Sequence, residues 1–392
     1  MSHAANAASA SLAEAVARDY RSVALVLQGG GALGAYQAGV VEALAGAGLW
    51  PSWVAGISIG ALNAAIIAGN PPERRVERLR TFWRTICQSP LWLSVPTPPW
   101  FDETAWPMAV RSGLSGLAAW RALVEGQAGF FRPRLPTPLL QAHAGPASTS
   151  WYDTAPLLAT LERLVDFDRI NDPRGMRVSV GAVNVRTGNF TYFDNTRERL
   201  RPEHFMASGA LPPGFPAVEI DGEFYWDGGI VSNTPLYQVL TERPHRDMLV
   251  FQVDLWSALG ELPRDMAGVA ERVKDIQYSS RTRLVTEYMH QSREQQRLLH
   301  ALMALVPPER RAEPAFRCAE AAANGARTNL IHLIYRDKPY EGHFKDYEFS
   351  LSSMRSHWQS GLDDMRHTLA HPPWFDAPPP EQPFVTHDVH RG

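Results

Sequence analysis

Two stretches decide the fold of this 392-residue chain: Val23-Ala24-Leu25-Val26-Leu27-Gln28-Gly29-Gly30-Gly31-Ala32-Leu33-Gly34 and, shortly after, Trp53-Val54-Ala55-Gly56-Ile57-Ser58-Ile59-Gly60. Val23 to Leu27 is a short, β-rich apolar run of the kind that forms a strand buried on both faces of a parallel sheet. Three glycines end it. Ala32 to Ala45 is small and apolar, which predicts a helix able to pack close to a sheet, with Gly46 and Gly48 stopping it. Trp53 to Ile57 repeats the strand pattern and runs into Ser58, and Ala61 to Ala68 is a second small-residue helix. Strand, loop, helix, strand, turn, helix is the opening of an α/β domain with a mostly parallel sheet sandwiched by helices.

The second stretch holds a G-x-S-x-G, with Gly56 and Gly60 flanking the serine. A serine between strand and helix sits on a tight turn that the glycines permit, and its hydroxyl is pushed outward. The following helix aims its N-terminus, with free N–H groups and positive dipole end, at the same place. Alone the motif is weak; its position between a predicted strand and a predicted helix gives it meaning. Gly113-Leu114-Ser115-Gly116 has neither the spacing nor a preceding strand.

Gly29-Gly30-Gly31-Ala32-Leu33-Gly34 presents consecutive backbone N–H groups at a helix start, a ready anion site. It also matches G-x-G-x-x-G, but a dinucleotide fingerprint wants an acid at the end of the second strand. Here that strand ends in Ser58, and the nearest acid, Glu42, lies inside the first helix. No Gly-Lys-Ser/Thr follows, so this is not a P-loop. A third motif, Asp227-Gly228-Gly229, ends the run Glu223 to Trp226. By itself it reads equally well as a strand-to-loop turn.

Taken together, these motifs resemble the patatin-like phospholipase family over roughly residues 22–256. Two further stretches carry the resemblance: Met206-Ala207-Ser208-Gly209-Ala210-Leu211-Pro212, and Asp227 through Gly228, Gly229, Ile230, Val231, Ser232, Asn233 and Thr234 to Pro235. The resemblance implies a three-layer patatin-like fold and hydrolysis of an acyl ester, most naturally of a lipid, without a cofactor or metal. It implies Ser58 as nucleophile and Asp227 as its base. The oxyanion would be held by amides among Gly29, Gly30, Gly31 and Ile59, with Gly34, Gly228 and Gly229 supporting the motifs. The family's loop often carries Arg or Lys where this chain has Leu33, which weakens the expectation of strong attraction for an anionic head group. An aspartate is a poor base at its ordinary pKa, so burial that raises it would improve the match.

Elsewhere, residues 1–21 read as a mobile or weakly helical leader. Residues 89–152 are rich in Pro and Trp (Trp92, Trp100, Trp106, Trp120, Trp151) and read either as an insertion or lid over the site or as a packing excursion. The tryptophans suit interfacial anchoring at a lipid surface and core packing alike. Arg177 to Val185, Phe190 to Phe193, a Val218 to Trp226 hairpin around Asp221-Gly222, and Met248 to Leu255 continue the sheet. Residues 257–392 form a mainly helical C-terminal region, with a late strand near Asn329 to Tyr335, a final helix over Leu351 to Ala370, and a Pro-rich tail from His371 expected to be loosely held.

Apolar residues make up 45% and charged residues 20%, enough to bury a sizeable core. A net charge of −3 argues against nucleic acid as a partner. There is no signal-peptide pattern at the N-terminus, and no apolar run reaches the ~18 residues of a spanning helix. Two distant cysteines, Cys87 and Cys318, allow one disulfide but suit a reducing compartment equally, so the expectation is a cytoplasmic protein in peripheral contact with lipid. Oligomeric state is unreadable. A Ser-His-Asp triad stays open, because His245, His290, His332, His343 and His357 all follow Asp227. Also open are another acyl ester, such as a bacterial polyester or a thioester, and a catalytically silent lipid- or granule-binding protein.

Overall fold

The computed structural model describes residues 12–87, 108–138, 145–280, 282–323, 326–338 and 340–388. Its first element, α1 (12–19), lies in the stretch expected to be a mobile or weakly helical leader. It is helical and packed down: Val16 is buried, and the Tyr20 hydroxyl donates to Asp376 O at 2.9 Å. Then come β1 (Ser22–Leu27), a 3-10 turn (Gly31–Gly34), α2 (Ala35–Gly46), β2 (Trp53–Gly56), α3 (Ile59–Ala68) and α4 (Pro72–Ile86). The insertion contributes α5 (Met108–Glu125) and a small ladder of β3 (Arg132–Pro133) with β4 (Tyr152–Asp153). Trp92, Trp100 and Trp106 lie outside the described residues.

Order continues through α6 (Ala155–Leu164), α7 (Phe167–Ile170), β5 (Arg177–Asn184), β6 (Phe190–Asp194), α8 (Pro202–Ser208), β7 (Val218–Ile220), β8 (Glu223–Asp227), α9 (Leu236–Thr241) and β9 (Met248–Asp254). Positive φ at Asp221 and Gly222 makes the two-residue turn between β7 and β8. The C-terminal region adds α10 (Met266–Tyr278), α11 (Thr282–Ala304), α12 (Pro314–Ala322), β10 (Thr328–Ile334), α13 (Leu351–Leu369) and β11 (Phe384–Asp388).

The main sheet runs β11-β10-β9-β1-β2-β5-β8-β7, with β6 also paired to β5. The strands from β11 to β5 are parallel neighbours; β6, β7 and β8 pair antiparallel. The expected mostly parallel α/β fold is therefore present, and alternation along β1 shows its three layers. Leu25 and Leu27 join the cluster built on α2, α3, α4 and α13, while Ala24 and Val26 join the one that includes α9 residues. All of α3 and most of α2 are buried, as their small apolar composition requires.

The C-terminal region is helical as expected, but it also completes the sheet. β10 adds to β9, and β11 to β10. The tail expected to be loose thus carries an edge strand, anchored by the buried Phe384. Its Pro-rich composition hides a strand that its neighbour supplies with hydrogen bonds.

Candidate active site

β2 delivers Gly56 and Ile57 to a turn, and α3 starts at Ile59. Between them Ser58 has φ 54° and ψ −123°, a backbone region costly for a residue with a Cβ. Its neighbours hold it there. The Ser58 N–H donates to Ser208 Oγ at 3.0 Å, and Ser208 Oγ donates to Gly181 O on β5 at 2.7 Å. A Cβ on Gly56 would overlap the Gly60 backbone, so the two motif glycines let strand and helix close on each other.

Asp227, the last residue of β8, is 2% exposed. Its carboxylate accepts hydrogen bonds from the Ser58 hydroxyl and, at 2.7 Å, from the Gly229 N–H. Burial pushes its pKa up from 3.8 to about 7, against the opposing pull of those two donors. Sequence-distant Ser58 and Asp227 are thus brought into direct contact.

The glycine-rich loop closes the other side. The Gly29 N–H donates to Asn233 O and the Ala32 N–H to Asp346 O, whereas the amides of Gly30 and Gly31 meet no acceptor among the described residues. Gly29, Gly30, Gly31, Ser58, Ile59, Asp227 and Gly229 all line one cavity of about 290 Å³. Gly34, Gly56, Gly60 and Gly228 stand behind it. Leu33 is buried in the core and does not line the cavity, so its departure from the family's usual cation alters no wall of the site.

The cavity walls are largely apolar. Phe130, Phe131 and Tyr152 of the insertion meet Phe215 in edge-on and tilted contacts, with ring centroids 5.2–6.1 Å apart, and Phe349 closes on Phe130 at 5.8 Å. The described part of the insertion is therefore a wall of the site. No histidine is among the described residues that line it. His332 and His357 are committed elsewhere, to Asp254 at 2.6 Å and Glu341 at 2.7 Å. Both cysteines are free thiols.

Several contributors were not legible in the sequence. Asn233 Nδ2 donates to Gly29 O and Tyr278 O, tying the loop after Asp227 to the glycine-rich loop. The Trp256 indole N–H also donates to Gly29 O, at 2.9 Å. Gln28 Oε1 accepts from the Leu255 and Trp256 amides. Ser208 and Asn233 lay inside the quoted family stretches without an assigned role; Trp256, Tyr278 and Asp346 had no local signal.

A family model described as "Patatin-like phospholipase" matches residues 25–240, more than half of the chain. The chain belongs to the patatin-like phospholipase family. As a patatin-like phospholipase it is an enzyme, a lipid acyl hydrolase. A second model, described as "Patatin phospholipase", matches residues 276–381. Similar solved structures include VipD from Legionella pneumophila, at 16% identity over 89% of this chain and 67% of that one, TM-score 0.37. Human GIVD cytosolic phospholipase A2 is similar at 12% identity over 95% and 63%, TM-score 0.37. This patatin-like chain thus spans about two thirds of each neighbour's length. A search of curated proteins finds no match.

Proposed function

We propose that this patatin-like enzyme cleaves lipid acyl esters, in the manner of a phospholipase A or lysophospholipase, through a Ser58–Asp227 dyad. Ser58 Oγ attacks the ester carbonyl while Asp227 accepts its proton; the alcohol leaves, and water then releases the acyl group from Ser58. The amides of Gly30, Gly31 and Ile59 stabilise the oxyanion. The acyl chain lies along the aromatic wall. The observation that carries this reading is a strained, cavity-facing serine hydrogen-bonded to a buried carboxylate whose pKa is about 7. A base tuned near neutrality is half ionised at the pH where it must work.

The test is hydrolysis of p-nitrophenyl butyrate. Ser58→Ala and Asp227→Asn should each lower kcat by about 10³-fold or more, with His332→Ala and His290→Ala near wild type. An Asp227→Asn enzyme of undiminished rate sinks the dyad. Comparing butyrate with long-chain, phospholipid, polyester and thioester substrates then assigns the acyl class.

Lipid-surface contact is supported by two helices that present apolar side chains outward. The outward face of α5 carries Val110, Leu114, Leu117, Trp120 and Val124, and that of α10 carries Met266, Val269, Val273 and Ile276. α10 meanwhile buries Asp275. Both helices end at the cavity, through Leu123 and Tyr278. Leu117→Asp and Val273→Asp should reduce vesicle binding and vesicle hydrolysis about tenfold and leave butyrate hydrolysis unchanged. Equal loss on both substrates would refute a surface role.

A further inference from the structure

The chain has 38 basic Lys and Arg residues but three lysines, and two of them, Lys274 and Lys345, meet at one C-terminal segment, residues 340–347. Lys345 lies within it, fully enclosed. Its ammonium donates to Asp275 Oδ1 at 2.8 Å and Asp337 Oδ2 at 2.6 Å, stands 3.7 Å from Glu271, and sits over the Trp256 ring at 5.1 Å. Lys274 reaches across from α10 to both carboxylate oxygens of Asp346, at 2.7 and 3.0 Å, and to His343 O at 2.9 Å. Lys338 lies just before the segment, over the Tyr335 ring. Around the enclosed Lys345 an ammonium is a compact point charge that several acceptors can surround; a planar guanidinium there would need more room.

What this cluster holds in place is the main chain of Asp346. Its carbonyl accepts the Ala32 N–H at 2.8 Å. It also lies against Gly31, which has φ +56°, so closely that a Cβ there would overlap it. The glycine-rich loop is therefore gripped at Ala32, immediately after the two amides that meet no acceptor among the described residues. On the opposite side Trp256, itself under Lys345, holds Gly29 O.

We propose that residues 340–347, fixed by Lys274 and Lys345, position the glycine-rich loop for catalysis, so that the C-terminal region sets the aim of the Gly30 and Gly31 amides. This rests on the proposed oxyanion role of those amides. Lys274 and Lys345 touch no reacting atom; they are positioning residues. Asp346 O takes the Ala32 amide, imposes the left-handed turn at Gly31, and leaves the two preceding amides directed into the cavity.

The test uses the full chain with Lys274→Met and Lys274→Arg; Lys345 is left intact because its loss strands three carboxylates and threatens folding. Three readouts are compared with wild type: hydrogen exchange of residues 28–34, kcat and KM on p-nitrophenyl butyrate, and affinity for a trifluoromethyl ketone, which adds the serine hydroxyl to give a tetrahedral oxyanion. Lys274→Met should speed loop exchange severalfold, lower kcat and ketone affinity together by about tenfold, and leave KM within about twofold. Lys274→Arg should recover most of the loss. Faster exchange with unchanged kcat and ketone affinity overturns the positioning role, as does no change in any readout. If Ser58→Ala keeps wild-type activity, the hydrolase mechanism fails separately. Hydrogen exchange then decides alone: an unchanged loop overturns the coupling, and a faster one upholds it.

Discussion

Residues 22–256 and residues 257–392 contribute to the same site in opposite ways. The first region carries its candidate site residues in contiguous motifs: three glycines after β1, a serine between β2 and α3, an Asp-Gly-Gly at the end of β8. The second has no motif, yet it supplies two strands of the sheet, the helix that covers α2, and the carbonyl that grips the glycine-rich loop. Candidate reactive groups can be specified locally, whereas the contacts that hold them come from far away in the chain. The largest effect expected from this contrast is the simplest to produce. A chain ending at residue 256 leaves β9 as a bare edge and uncovers α2. It loses Leu330, Ile331, Trp358, Leu362, Met365 and Phe384 from the core. At about 1.5–3 kcal/mol for each buried side chain, the loss matches or exceeds the ~5–15 kcal/mol stability of a typical domain. Thermal denaturation followed by circular dichroism should show no cooperative transition; a cooperative one would mean the two regions are separable after all.

Legibility follows the same divide. Ser58, Asp227 and Gly29 to Gly31 were readable because each depends on the backbone of its immediate neighbours: a strand end, a glycine, a helix start. The partners that hold them were not. Ser208 reaches Ser58 across 150 positions, and Gln28 reaches Trp256 across 228, with no periodicity or spacing to announce either. The C-terminal strands were obscured in another way. Thr328–Ile334 is apolar enough to be suspected as a strand. Phe384–Asp388, after a run of prolines, becomes one only because β10 offers it a parallel edge. The anchoring of the leader was hidden for the same reason, since Tyr20 is fixed by Asn329 and Asp376, far along the chain.

A second effect tests how far burial within the first region sets the chemistry. Asp227 has its folded pKa raised from 3.8 to about 7, so the folded state holds its proton more tightly than the unfolded chain does. By linkage, the stability this group contributes is full below pH ~4 and is lost as the pH rises to about 7, beyond which the penalty is constant. Asp227→Asn removes the titration. Its stability relative to wild type should therefore climb between pH 4 and 7, by at most about 4 kcal/mol. Urea midpoints measured across that range give the difference directly. Wild-type kcat/KM on a soluble ester should rise through an inflection near pH 7. A flat stability difference with a rate inflection near pH 4 would mean that burial does not tune this carboxylate.

The smallest effect probes the seam where the two regions meet. α2 and α13 cross at Gly39 and Gly361, and each glycine faces the other helix's backbone. A Cβ on Gly39 would overlap the Trp358 carbonyl, and one on Gly361 the Tyr36 carbonyl. Backbone cannot step aside as a flexible side chain can, so the two helices must separate to admit a methyl. Separation loosens Tyr36, Trp358 and Leu362 together, since all belong to one core cluster. Gly361→Ala should cost about 3 kcal/mol in urea unfolding. Gly113→Ala on α5 is the matched control. A Cβ there has nothing within 4 Å, so the change should be neutral or stabilise by up to about 1 kcal/mol through helix propensity. Both substitutions add one methyl to a helix, so any difference between them measures the seam. If the two cost the same, the crossing of α2 and α13 is not a constraint on the fold.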